Sequence, residues 1–166
     1  MARVVAYEPA PRQYRPMSEI RFYHLRTKTA AQALPEILAT ALESCRRVVI
    51  KTADEKAVTS LNDYLWTYQA DAFLPHGNKK DGHAADQPIW ITADNDNPNG
   101  AQILITTGGA IPEKPEDYAL CCEMLEDSDP EQVTAARTRW KAYKEQEFEL
   151  TYWQQTDKGG WEKKAS

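Results

Sequence analysis

Apolar residues in this chain fall into short unbroken blocks that alternate with longer stretches at helical spacing. Residues 20–25 read as a first strand. Leu34, Ile37, Leu38, Ala41, Leu42 and Cys45 then recur at intervals of three and four, which marks an amphipathic helix that Pro35 either opens or kinks. Val48, Val49 and Ile50, within residues 47–51, make a second strand-sized block. Asp54 is placed to cap a second helix whose inner face is Val58, Leu61 and Leu65 and which runs out near residues 66–68. Two further strands centre on Trp90 and Leu104, and residues 118–124 suggest another. The segment between Ile91 and Ile103 is too short for a crossover helix, so that pair is expected to be antiparallel or irregularly joined. Residues 129–148 form the third helix, with Asp129 as N-cap, Pro130 in the first turn and Gln132 able to close a capping box.

The strand blocks lack hydrophobic/polar alternation and are interleaved with helices. That combination predicts an α/β fold of three layers: one domain, a mostly parallel central sheet and helices on both faces. Pro9, Pro11 and Pro16 break up residues 1–16, so this stretch is expected to be a flexible N-terminal extension, with Met17 beginning the folded part. The domain should span residues 17–153. Gly159, Gly160, Lys163 and Lys164 mark residues 154–166 as a flexible C-terminal tail, although the aromatic start of that region, Tyr152 and Trp153, could pack back.

Composition narrows the chemistry. A chain of 166 residues with 42% hydrophobic and 27% charged residues suits one globular domain. A net charge of −5 argues against nonspecific nucleic-acid binding as the main activity, because that depends on neutralising phosphates. Three cysteines give neither a disulfide framework nor a CxxC motif. No apolar run reaches membrane-spanning length, and no apolar core follows Arg3, Arg12 and Arg15 as a secretory signal would require. A cytoplasmic protein with no membrane partner is the expectation.

Familiar catalytic and cofactor motifs are missing. RTKTAAQ after the first strand has no glycine, and no GxxxxGK[ST] occurs; Gly108-Gly109 is the nearest candidate phosphate loop and reads as a turn. His24, His76 and His83 match no metal-ligand spacing, and the Asp94–Asn97 run resembles a calcium loop only superficially. No catalytic residue, cofactor or metal is therefore expected. What stands out is the third helix. Val133, Ala136, Trp140 and Tyr143 share one side at about 100° per residue, flanked by Arg137, Lys141 and Lys144. On an acidic protein this suits a receptor for an acidic, apolar-tipped ligand; the plainer reading is an amphipathic helix whose cations snorkel at the core's edge.

In order and spacing, IRFYHL, VVIKTADEKAVTSLNDYLW, AFLPHG, ILIT and ARTRWKAYKEQEFEL resemble the chi subunit family of bacterial DNA polymerase III holoenzyme, over residues 18–153. The resemblance implies a Rossmann-like fold and a non-catalytic adaptor in DNA replication. Such an adaptor links the clamp-loader complex to single-stranded DNA-binding protein through that protein's acidic C-terminal tail, and meets DNA only indirectly. By resemblance Arg137, Trp140 and Lys141 bind the tail, with Lys144 and Arg139 in second rank; the family often has tyrosine where this chain has Trp140. Trp66 and Phe73, with Pro75 beside them, correspond to the surface for a psi subunit or other clamp-loader component, and in some lineages for a repair helicase. Read from the residues alone, Trp66 and Phe73 are core aromatics sealing the second helix. Two other readings compete: a Rossmann-like small-molecule or nucleotide-binding enzyme, which needs the missing phosphate loop, and a direct single-stranded nucleic-acid binder using Trp140 and Tyr143.

Overall fold

Strand β1 (Glu19–Leu25) joins the two halves of a seven-stranded sheet, pairing in parallel with β5 (Leu120–Glu126) on one side and β6 (Glu149–Gln155) on the other. The computed structural model describes residues 18–69 and 74–166. The expected extension, residues 1–16, lies outside them. Along β1 the pleat sends Ile20 and Phe22 to one face and Tyr23 to the other, so one strand seeds two cores.

Helix α1 (Ala30–Glu43) opens earlier than its apolar repeat suggests. Thr29 caps it: its hydroxyl accepts from the Gln32 amide at 3.2 Å, and the Gln32 side chain accepts from the Thr29 amide at 3.0 Å. Pro35 therefore lies inside the helix and does not begin it. Strand β2 (Val48–Lys51) leads to α2 (Glu55–Thr67), capped by Asp54 as expected. Strands β3 (Ile89–Thr92) and β4 (Ile103–Thr106) are buried throughout, as two covered faces require. Helix α3 (Pro130–Glu145) ends short of residue 148, because Glu147 adopts a left-handed φ of 63° and turns the chain into β6.

The strand order is β3-β2-β4-β5-β1-β6-β7, parallel except for β7 (Trp161–Ala165), which runs antiparallel to β6. Helices α1 and α2 bury Leu34, Leu38, Val58, Leu61 and Leu65 against one face. Helix α3 buries Ala136 and Tyr143 against the other, over Ile20, Phe22 and Leu150. The three-layer α/β expectation holds.

Of the two readings of the β3–β4 pair the irregular join holds and the antiparallel one does not, and the expected loose C-terminal tail changes. β3 and β4 are not an antiparallel pair; each lies parallel to β2, on opposite sides of it. Their connection is irregular and is held by asparagines in place of a helix. Asn97 closes on the Ala101 amide at 2.7 Å, and Asn99 donates to the carbonyls of Gln87 at 2.8 Å and Val48 at 3.2 Å. Residues 154–166, read as a loose tail, instead finish β6 and add β7. Trp161 packs edge-on against Tyr23, with centroids 4.9 Å apart, which anchors the strand despite its lysines.

Candidate functional site

Helix α3 divides its cations between two environments. Arg137, Lys141 and Lys144 are exposed, in line along the outer flank. Between them the half-buried Trp140 rests edge-on against Phe22 (5.4 Å between centroids) and against Tyr152 (5.9 Å), so its ring is held as a fixed apolar wall. Tyr143 is core, as its position on the inner side suggests. Arg139 turns the opposite way to its expected role. Its Nε donates to the Glu123 carboxylate of β5 at 2.6 Å, and that carboxylate is 1% exposed. Arg139 is therefore committed to the sheet beneath the helix and does not stand with the exposed cations. Burial pushes the Glu123 carboxyl above the ordinary glutamate value, against the opposing pull of Arg139 and the Tyr143 hydroxyl. The Tyr143 phenol is raised in turn by its own burial and by Glu123.

β6 brings further groups to this face. Tyr152 stacks on Phe22 and donates or accepts at His24 Nδ1, 2.7 Å away; His24 Nε2 lies 2.9 Å from the Asp127 carboxylate. Burial raises the Tyr152 phenol, and the nearby positive charge of Arg137 pulls it back. Sequence reading missed this chain of contacts. Tyr152 meets residues of β1 only because β6 pairs with β1 in a register that sets Tyr152 beside Phe22, and no local pattern encodes that.

The second expected surface lies on the other face of the sheet. Trp66, at the end of α2, is 49% exposed, with its ring 4.3 Å from the buried His76. Pro75 is half-buried beside the buried Leu74. Phe73 lies outside the described residues. His76 is fixed between the carbonyls of Leu74 at 2.5 Å and Asn62 at 3.2 Å. Gly77 then bridges to β3, where a Cβ would come within 2.7 Å of the Gln87 side chain. The PHG sequence is thus a structural anchor placing this loop beside Trp66.

In sheets of this kind phosphates bind where neighbouring strands send their connections to opposite faces. Here that point lies between β1 and β5, where residues 25–29 and 126–128 line an open cleft whose backbone amides are partly taken by the chain's own side chains. The Gln155 amide oxygen accepts from the backbone amides of Arg26 (3.2 Å), Thr27 (2.9 Å) and Lys28 (3.1 Å). The Glu126 carboxylate accepts from the Ala30 amide at the start of α1, at 2.7 Å. Gly108 and Gly109, at φ 63° and 83°, make a plain turn closed by Ala110 on Thr107. Asp96 is used by Trp90 Nε1 and the Thr92 hydroxyl, and no group of three or more metal-ligating side chains occurs among the described residues. Cys121 and Cys122 pack in the two cores, and burial pushes the Cys122 thiol up to about 12. No helix among the described residues is long and apolar enough to cross a membrane.

A family model described as DNA polymerase III chi subunit, HolC, matches residues 17–151. The chain belongs to the chi subunit family. It is 28% identical over 147 residues to the DNA polymerase III subunit chi of Escherichia coli (strain K12), covering 81% of this chain and 96% of that one. It is 36% identical over 89 residues to the probable DNA polymerase III subunit chi of Rickettsia prowazekii (strain Madrid E), a match that spans 54% of each chain. The Pseudomonas aeruginosa subunit is 23% identical over 137 residues, 81% of this chain and 94% of its own length. The chi family match takes in α3 and the Trp66 surface but stops at Thr151, so Tyr152 and β7 lie beyond it.

Proposed function

We propose that this chi-family chain is a non-catalytic, cytoplasmic replisome adaptor. Its α3 face takes the acidic C-terminal tail of single-stranded DNA-binding protein, and its Trp66 surface takes a psi subunit, another clamp-loader component or, in some lineages, a repair helicase. The observation that carries this reading is the exposed row Arg137, Lys141 and Lys144 beside the fixed ring of Trp140. Arg137 offers a planar fork to a carboxylate and Lys141 a mobile charge one turn on, while Trp140 gives an apolar surface for a terminal side chain. Trp66, Phe73 and Pro75 are assigned to the second partner by resemblance, and the position of α2 and α3 on opposite faces supports one subunit bridging two partners. Gln155 and Glu126 taking up the amides near the start of α1 favours this over the nucleotide-enzyme reading.

The test is titration with a synthetic peptide carrying an aspartate run, a terminal phenylalanine and a free carboxylate. Micromolar affinity (about −8 kcal/mol) is expected, weakening with added salt and falling at least tenfold in Arg137→Ala and Trp140→Ala. A folded wild-type protein that ignores the peptide would sink the adaptor reading.

A further inference from the structure

The hydroxyl of Tyr152 sits at a choice of two hydrogen-bond roles. His24 is 6% exposed and held at both ring nitrogens, by Tyr152 at Nδ1 and Asp127 at Nε2. A carboxylate only accepts, so Nε2 carries a hydrogen toward Asp127. In the neutral ring Nδ1 must then accept, and Tyr152 spends its hydroxyl hydrogen on His24. In the protonated ring Nδ1 donates, and the hydroxyl hydrogen is released to another acceptor. Tyr152 is half-buried, touches Trp140 and lies within the field of Arg137. That hydrogen is then available to an anion docked on α3.

Resting on the acidic-tail reading, we propose that Tyr152 is a further contact residue of that site, donating its hydroxyl hydrogen to the ligand carboxylate when His24 takes up a proton. Charge favours the same direction. With His24 neutral, Asp127 stands beside the site as a bare carboxylate and repels an acidic peptide; with His24 protonated, the pair is neutral. The other charged groups near this face are Arg137, Lys141 and Lys144 on α3, which attract the ligand in either state, and Glu123 of β5, already matched by Arg139. Binding of an acidic peptide is then linked to proton uptake, and affinity rises as pH falls.

The experiment is calorimetric titration of the full chain, as wild type, Tyr152→Phe and His24→Gln, with the aspartate-run peptide in free-carboxylate and C-terminally amidated forms. Each titration is run in two buffers of different ionisation enthalpy. Wild type should take up a proton on binding. Tyr152→Phe should bind the free-carboxylate peptide roughly tenfold more weakly, a loss that shrinks with the amidated peptide. His24→Gln can still accept from Tyr152 and donate to Asp127, so it mimics the neutral ring; it should bind weakly and with no proton uptake. Equal affinity of wild type and Tyr152→Phe for both peptides, or proton uptake that persists in His24→Gln, would overturn the proposal while leaving the tail site intact. No binding by wild type would instead count against the adaptor reading.

Discussion

Two arginines two positions apart on α3 illustrate how burial decides a residue's work. Arg137 is exposed, whereas Arg139 is matched to a carboxylate that solvent barely reaches. Removing one partner of a buried pair strands the other charge, so Arg139→Ala should lower stability by roughly 3 kcal/mol, as read by urea unfolding. Arg137→Ala should leave the unfolding midpoint unchanged and affect only peptide affinity. Equal midpoints for the two variants would refute this division. Glu123 adds a pH signature. Its folded value is raised, so the folded state holds the proton more tightly than the unfolded chain does. The stabilisation linked to that proton is present below the ordinary glutamate value, about 4.3, and is lost as pH rises through the higher folded value. Measured against Glu123→Gln, wild type should lose relative stability as pH climbs from about 4. A difference that stays flat with pH would show that Glu123 does not titrate as described.

At the scale of elements, the last strands do more than their sequence suggests. Gln155 is 1% exposed and its single oxygen serves three backbone amides and the Thr27 hydroxyl, tying the end of β6 to the β1–α1 loop. Gln155→Ala leaves those amides without their acceptor and should cost about 2–3 kcal/mol, with faster hydrogen exchange at residues 26–28. Unchanged exchange there would show that water replaces the side chain at no cost. The helices were legible because each carries its own local signals. Asp54 and Asp129 cap where the pattern places them, and the apolar repeats of α1 and α2 face the core. β6 was not legible as a strand: its residues follow a helix and precede a glycine turn, and only pairing with β1 makes them one. β7 was hidden for a related reason, since its lysines describe an exposed edge and say nothing of Trp161 docking on Tyr23.

At the scale of the molecule, the sheet separates the two proposed surfaces, with Trp66 beyond one face and Trp140 on the other. Distant sites without shared partners act additively. Trp66→Ala should therefore leave affinity for the acidic peptide within about twofold of wild type, as measured by titration. A larger loss would mean that the two faces are coupled through the sheet.

The sequence by itself determined the α/β class, the caps of α2 and α3, the inner faces of the helices, and the basic-aromatic row on α3, because periodicity and capping are properties of neighbours along the chain. It also carried the family, through motifs whose order survives in the match over residues 17–151. Only the tertiary structure decided which cations stay free, because Arg137 and Arg139 look alike until β5 supplies Glu123 to one of them. It also decided that Gln155 takes up the amides of residues 26–28 and that Tyr152 meets His24 and Trp140. Those contacts join residues more than a hundred positions apart in two cases, and strand register, which no local pattern specifies, brings them together.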